Sequence, residues 1–427
     1  MRRTAGAAPR LAGALAIVLG TKDIPLRLRA WDGSEAGPAG APLLVVHSRR
    51  ALRRILFSPG QLGLSRAYVA GEIEAPGDIF ASFGALSSVG KFAESGPFRR
   101  PTFRELGTLA AAAVRLGAVG PNPAPPPEEA RVARKGRRHS RKRDAAAISH
   151  HYDVGNDFYA LILGPSLVYS CAVWDSPGTG LDAAQEAKLD LVCRKLGLQA
   201  GMRVLDVGCG WGSFAIHAAR RYGVDVVGVT LSAEQAELAR KRVAEAGLTD
   251  RVEIRIQDYR DVEDAPFDAI SSIGMSEHVG REQIGRYASR LHALLRPGGR
   301  LLNHAISWNA GPAASDPDSF IPRYVFPDGE MLSLAEMVGA LEGGGFEVLD
   351  VEALRPHYAL TLRAWVDNLE RQWDEAVRAS SPGRARVWRL YMAASALGFE
   401  AGTTGVNQVL VRRPGGAEPP LRRTAWL

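Results

Sequence analysis

The sequence predicts an α/β protein in which a doubly wound parallel sheet follows a smaller, mixed α+β domain. Three observations carry that expectation. Short apolar runs alternate with amphipathic stretches between residues 181 and 306, the pattern of βα units wound on both faces of a parallel sheet. The first of these runs breaks into the glycine turn of VLDVGCGWG (204–212) and then into a helical stretch, Ser213 to Arg221. Such a turn brings backbone N–H groups to a helix N-terminus, where nucleotide-like ligands bind. Finally, at 427 residues the chain is longer than one hydrophobic core usually organises.

From the N-terminus, MRRTAGAAPRLAGALAIVLG sets two arginines before a small-residue apolar stretch, as a signal sequence does. Arg10 interrupts that stretch, and Lys22 and Asp23 follow it without a small-residue cleavage site, so a first helix is expected. Pro25 to Trp31 alternates like a half-buried strand, Leu43 to Val46 reads as another, and Arg49 to Leu56 has helical spacing. GLSRAYVAGEIEAPGDIFASFGAL (63–86) reads as helix, turn and helix. PTFRELGTLAAAAVRLGAVG (101–120) can form a helix that PNPAPPPEE (121–129) cannot continue, because proline removes a donor and blocks the preceding turn. We therefore expect an N-terminal domain over 1–117 and an exposed linker over 118–146. Within the linker, RVARKGRRHSRKR (131–143) can account for the net charge of +7. Such a run attracts phospholipid headgroups or nucleic acid phosphates, or stands as a solvated face.

The next stretch, HHYDVGNDFYALILGPSLVYSCAVW (150–174), is rich in aromatic and amide residues without clean periodicity. Leu181 to Leu196 is an amphipathic helix. Strands are expected at Val204, Val224 to Val229, Val252 to Gln257, Phe267 to Ile273 and Gly299 to Ile306, with helices between them. Further on come a strand at FEVLDVEAL, long helices over Tyr358 to Val377 and Trp388 to Leu397, and a last strand over Gly405 to Val411. The catalytic domain would span 147–412, with 413–427 a frayed tail.

The glycine turn is not a dinucleotide fingerprint. Gly212 falls two residues after Gly210 rather than three, and the Asp206 carboxylate would repel a pyrophosphate. An acid before G-x-G-x-G suits a ligand with a cationic, amino-acid-like end, as in S-adenosylmethionine (AdoMet). Asp206 and the glycines also fit a tight structural turn, and Thr230 with Ser232 a helix cap.

Seven motifs line up in order: HYDVGNDFY (151–159), YSCAVW (169–174), VLDVGCGWG, GVTLSAEQ (228–235), QDYRDV (257–262), GMSEHVG (274–280) and LRPHYALTLRAW (354–365). As a set they resemble the cyclopropane-fatty-acyl-phospholipid synthase family of AdoMet-dependent lipid methyltransferases, from about His150 to Gln408. YVAGEIE (68–74) resembles the lipid-associated domain of the bacterial phospholipid enzymes. The resemblance implies a Rossmann-like class I methyltransferase sheet. It also implies cofactor contacts from Tyr169, Ser170, Asp206, Gly208, Gly210, Gly212, Thr230, Gln235, Asp258 and Tyr259. The base it implies is a bound bicarbonate held by Cys171, Glu277, His304, the backbone of Ile306, and Tyr358. Taken singly, His304 and Cys171 are as readily core residues and Glu277 a helix-capping acid. One departure stands out: a late-helix cysteine common in the family is Ser395 here.

The implied chemistry is attack of a cis double bond on the methyl carbon, leaving a carbocation that a base deprotonates. Water would capture the cation, so the pocket must be dry, and Tyr169, Trp174 and Phe158 offer aromatic faces to it. Loss of the proton from the transferred carbon gives a cyclopropane; loss from a neighbouring chain carbon gives a methylene branch. Outside lipid chemistry, a small-molecule or nucleic-acid methyltransferase is disfavoured by the absence of an N-P-P-Y type motif, and a vestigial lipid-binding protein by the intact glycines. Cys171, Cys193 and Cys209 are too scattered for a disulfide framework or a metal site. The expected setting is a reducing cytoplasm, with peripheral attachment to an anionic membrane carrying unsaturated phospholipid, no nucleic acid partner, and room for a homodimer.

Overall fold

The short runs near the N-terminus pair as strands. In the computed structural model, which describes residues 6–58, 60–87, 102–129, 143, 155–264, 266–309, 319–327 and 329–425, β1 (Arg27–Ala30) lies parallel to β3 (Leu43–Val46). β2 (Glu35–Ala36) and β4 (Ile73–Glu74) pair antiparallel on either side. Helices Ala7–Leu19, Arg49–Phe57 and Gln61–Val69 supply Ala8, Leu11, Ala51 and Ala67 to a core that also holds Leu28 and Val46. The basic run 131–143 lies outside the described residues apart from Arg143, as does His151–Val154 of the HYDVGNDFY motif.

By compactness the chain divides into two units. One comprises Met1–Arg131, Asp316–Pro327 and Ser381–Gly398; the other comprises Val132–Ser315, Asp328–Ser380 and Phe399–Leu427. The segments 316–327 and 381–398 thus group with the N-terminal unit, although the expected 147–412 domain encloses them. Ser395 goes with them.

The described part of the expected linker, 118–129, has half of its residues exposed but is tied down at particular points. Glu129 is buried and accepts two hydrogen bonds of 2.7 Å from the Arg66 guanidinium, while Arg54 Nη1 donates to Ala124 O at 2.7 Å. A proline-rich segment has no hydrophobic period to announce burial; a single carboxylate between arginines fixes it.

In the second unit the apolar runs form β5 (Arg203–Val207), β6 (Asp225–Thr230), β7 (Val252–Ile256), β8 (Phe267–Ile273) and β9 (Leu295–Trp308), all parallel. β10 (Leu332–Ser333) adds to the end of β9, and β11 (Glu347–Ala353) and β12 (Thr404–Arg412) complete the order β11-β12-β9-β8-β5-β6-β7. The expected parallel sheet therefore acquires one antiparallel strand, β12, which pairs antiparallel with both β9 and β11, so that β11 at the edge runs with the parallel strands again. Even-numbered Leu302 and Leu410 face one core layer and odd-numbered Leu301, Val409 and Val411 the other, as strand alternation requires. The strand order reverses at β5, so the crevice outside its carboxyl end is the natural ligand site.

Three local readings change. Asn156–Leu163 is a helix that sequence periodicity does not reveal. The long helix expected to Val377 ends at Arg371 and resumes as Trp373–Ala379. The start of the tail is tied down: Arg413 accepts from Gly298 N–H and donates to Leu295 O, and Arg423 pairs with Asp350 at 3.3 Å. No described helix is long and apolar enough to cross a membrane.

Candidate active site

β5 ends at Val207, and the chain turns on three glycines with positive φ: Gly208 (79°), Gly210 (54°) and Gly212 (78°). The N–H groups of Gly208 and Cys209 donate to Val229 O on β6, which pins the turn beside the next strand. Above it opens a cavity of about 1210 Å³, part of it continuous with solvent. Nine of the ten expected cofactor residues line it: Tyr169, Ser170, Asp206, Gly208, Gly210, Thr230, Gln235, Asp258 and Tyr259. Gly212 does not. It precedes the Ser213–Tyr222 helix, and a Cβ there would lie 3.3 Å from Ala239 Cβ, so its left-handed backbone and close packing set the corner.

The walls are pre-organised. Thr230 Oγ1 donates to Gln235 Oε1 at 3.0 Å, and Ser232 caps the following helix by accepting from Gln235 N–H. Helix cap and cavity wall are thus one structure. The Asp258 carboxylate accepts from Arg260 N–H at 2.9 Å and from its Nε at 2.8 Å, holding the 3-10 turn Tyr259–Asp261 at the rim. Asp206 accepts from Ser271 Oγ at 2.5 Å through Oδ1, while its Oδ2 has no hydrogen-bond partner among the described residues. Burial pushes its carboxyl up to about 6, against the pull of Ser271 and Lys188.

Lys188 is the wall residue that sequence reading misses. It sits mid-way along the Leu181–Leu196 helix, 1% exposed, and donates to Ser170 Oγ at 3.0 Å. Burial lowers its ammonium to about 8. An ammonium carries three N–H donors, so this buried cation retains capacity toward an anionic group in the cavity, such as an amino-acid carboxylate.

The five residues expected to hold the base lie at the carboxyl end of β9 rather than in the cavity lining. Glu277 follows β8 in the short turn Ser276–His278 and accepts from Ile306 N–H at 2.8 Å. Ile306 pairs across the sheet with Val406, whose carbonyl accepts from Leu354 N–H. Cys171 Sγ lies 3.7 Å from Leu354 O, and Tyr358 follows one turn into the Arg355–Arg371 helix. Burial raises the Cys171 thiol far above its ordinary value, which keeps it protonated.

His304 is held by a buried relay. Lys195 Nζ donates to Gln408 Oε1 at 2.8 Å, which orients the amide so that Gln408 Nε2 faces His304 Nδ1 at 3.3 Å. With Nδ1 as acceptor, the ring proton falls on Nε2. That atom is buried without a hydrogen-bond partner among the described residues, as is Glu277 Oε2. Burial, with the charges of Lys188 and Lys195, lowers His304 to about 3, so the ring stays a neutral donor. Burial raises Glu277 to about 7 against the Ile306 hydrogen bond.

A row of aromatic rings joins the two regions. Centroids run from Trp211 to Tyr159 (4.9 Å), Tyr169 (5.7 Å), Trp365 (5.4 Å), Tyr358 (6.1 Å) and Phe399 (4.7 Å). Of the rings expected to face a cation, Tyr169 belongs to this row and Phe158 packs edge-on against Tyr159. Trp174 instead donates through Nε1 to Thr361 Oγ1. Tyr159 and Trp365 close two of the quoted motifs, HYDVGNDFY and LRPHYALTLRAW, but the sequence alone assigns them no role.

The model of the family described as "Mycolic acid cyclopropane synthetase" matches residues 139–409. The chain belongs to that family. It is 43% identical to the "Probable fatty acid methyltransferase Rv3720" of Mycobacterium tuberculosis, covering 97% of this chain and 98% of that one. It is 38% identical to the cyclopropane-fatty-acyl-phospholipid synthase of Escherichia coli strain K12, over 66% of this chain and 71% of that one. Among solved structures, it resembles mycolic acid cyclopropane synthase CmaA1 complexed with SAH and CTAB. The TM-score is 0.59 and the identity 34%, over 63% of this chain and 98% of that one. As a member of this family with the class I fold, the chain is an AdoMet-dependent methyltransferase.

Two outcomes test the site. Lys188→Met, which keeps the length and removes the charge, is expected to weaken AdoMet binding about tenfold, or about 1.4 kcal/mol; an unchanged calorimetric Kd would count against the wall assignment. Glu277 titrates higher folded than unfolded, so folding takes up a proton between its ordinary value of 4.5 and about 7. Stability relative to Glu277→Gln should therefore be greatest below that window and fall by up to roughly 3 kcal/mol as pH rises through it. Parallel denaturation curves at pH 5 and 8 with no change in the difference would refute the buried carboxylate.

Proposed function

We propose that this methyltransferase transfers the methyl carbon of AdoMet to the cis double bond of an unsaturated acyl chain in membrane phospholipid and closes a cyclopropane ring. Bound in the cavity, AdoMet supplies a methyl group made electrophilic by its sulfonium. Lys188, Ser170 and the glycine turn would hold its amino-acid end, and Thr230, Gln235, Asp258 and Tyr259 the remainder.

The reading rests on the aromatic row, which includes Tyr358, together with two buried polar atoms without a hydrogen-bond partner among the described residues, His304 Nε2 and Glu277 Oε2. A carbocation on an acyl chain needs electron-rich faces, exclusion of water, and a proton acceptor at one point. The rings provide the first two. Donor and acceptor chemistry fit bicarbonate: His304 offers an N–H to an anionic oxygen, and Glu277 accepts from a hydroxyl. Bicarbonate there would supply the base, with Cys171 and Tyr358 enclosing it and the protonated thiol playing no nucleophilic part.

A second reading, a methylene-branched product, has support of its own, because the 43% identical relative is named a fatty acid methyltransferase. The two differ only in which carbon faces the base. Attachment to a membrane is supported by the first unit. Phe103 (95% exposed), Leu106 (48%) and Val114 (66%) recur at helical spacing on Phe103–Arg115, where Arg104 and Arg115 are also exposed.

Incubation with AdoMet, bicarbonate and oleoyl phospholipid vesicles should add one CH2 to the acyl chain, read by mass spectrometry. Proton NMR should then show ring methylene signals; vinylidene signals would establish the second reading, and no added mass would end both. Replacing Phe103 and Val114 together with Asp should release the protein from anionic vesicles in a flotation assay. Undiminished flotation would remove this helix from the docking surface.

A further inference from the structure

Under either product reading, each turnover liberates one proton. The alkene π pair forms the new C–C bond as the C–S pair departs on sulfur. A C–H bond then breaks, its pair closes the ring or forms the new double bond, and H⁺ passes to a base inside a pocket closed to water. The proton must leave before the next turnover.

Glu277 occupies an unusual place for this purpose. β8 pairs with β9 as far as Ile273 and His304, and then turns away. The Ile306 N–H consequently falls in the gap between β8 and β10, which pairs with β9 only from Ser307 on, and the Glu277 carboxylate meets it there. By strand alternation His304 and Ile306 project to one face, and Asn303, Ala305 and Ser307 to the other. Glu277 lies between the two faces, belonging to neither.

On the second face, between β9, β12 and the stretch from Leu332 to Met337, there is a small cavity of about 10 Å³, room for a single water. Its polar wall consists of Ser276, Glu277, Asn303, Ser307, Asn407 and Glu330. Three atoms of residues that line it, Glu277 Oε2, Asn303 Oδ1 and Ser276 Oγ, are buried with no hydrogen-bond partner among the described residues. Their residues' relative exposures identify a closed inner end, with Asn303 at 0% and Ser276 at 2%. Glu330 marks the outer end: its side chain is 36% exposed, and its carboxylate accepts from Arg281 N–H at 3.0 Å. Its own N–H donates to Glu277 O at 3.0 Å, so the two acids are fixed neighbours. A polar space of this size is the setting in which proteins hold a single ordered water.

We propose that this cavity is the proton exit of the reaction: Glu277 takes the proton on the reacting face and passes it through a single water in the cavity to Glu330 and the solvent. The proposal rests on the alkylation reading, but not on which base first takes the proton or which product forms. A carboxyl raised to about 7 by burial both accepts and releases a proton near neutral pH. Separating the exit from the reacting face keeps water out of the path of the carbocation.

The test uses the full chain and three measurements on the same vesicle substrate: kcat, the KM for AdoMet, and the solvent deuterium isotope effect on kcat. Glu330→Gln keeps the shape of the outer end, and Asn303→Leu keeps the volume of the inner end while removing its polar atoms. In each, kcat should fall roughly tenfold, with the isotope effect rising above about 2 as proton release becomes limiting. The KM for AdoMet should be unchanged. Asn303 also donates to Tyr287 OH at 3.0 Å, so thermal melting accompanies that variant, and Glu330→Gln stands as the independent arm. Unchanged kcat and isotope effect in Glu330→Gln would overturn the proposal. So would a fall in kcat without a rise in the isotope effect, which is what a structural defect produces. A wild-type protein that adds no mass to the lipid overturns the alkylation reading itself, a result separable from the others because it needs no variant.

Discussion

The candidate base site at the end of β9 is organised around one backbone N–H, that of Ile306. Between the end of β8 pairing at His304 and the start of β10 pairing at Ser307, Ile306 retains a donor that neither strand meets, and an unpaired buried N–H is costly. Glu277 answers it with a carboxylate at 2.8 Å. This hydrogen bond fixes an acid at the carboxyl edge of the central strands, beyond the point where pairing ends, and leaves its second oxygen uncommitted. The His304 register, the Val406–Leu354 contact and the approach of Cys171 are all arranged around the same few residues of β9 and β12.

Charge is distributed with the same economy. Lys195 is completely buried between Gln408, Glu352 and Asp350, and its effect is felt two residues away in space as the tautomer of His304. Lys188 is equally buried in the cofactor wall, close enough to Asp206, Cys171 and His304 to bias each of them. A cationic interior of this kind is costly to build. Its counterpart is a pair of carboxyls, Asp206 and Glu277, that burial holds near neutrality.

Much of this was legible in the sequence where the physics is local. Leu181–Leu196 and Phe267–Ile273 match their expected bounds because period and flanking turns agree. The glycine turn announces the cofactor wall because positive φ at successive positions demands glycine. What stayed hidden depends on partners distant in the chain. Asn156–Leu163 buries Phe158, Tyr159, Ile162 and Leu163 on more than one side, so it lacks the stripe that marks a surface helix. Lys188 reads as a polar-face residue until Ser170 and Asp206 close over it. Gly212 reads as a ligand contact by its place in the motif, yet Ala239 from the next helix is what it accommodates. The antiparallel course of β12 follows from tertiary pairing, which its apolar run does not encode.

The aromatic row from Trp211 to Phe399 has a consequence for the identity of what the enzyme makes. A carbocation that meets water becomes an alcohol, and one that shifts a hydride before deprotonation yields a displaced branch. In the proposed reaction the rings would act through their faces and packing, governing the lifetime and position of the charge without taking part in bond making. Chemical fidelity here is a property of how tightly a wall is packed, and a loosened ring would show itself first as impurity in the lipid, with the rate barely altered.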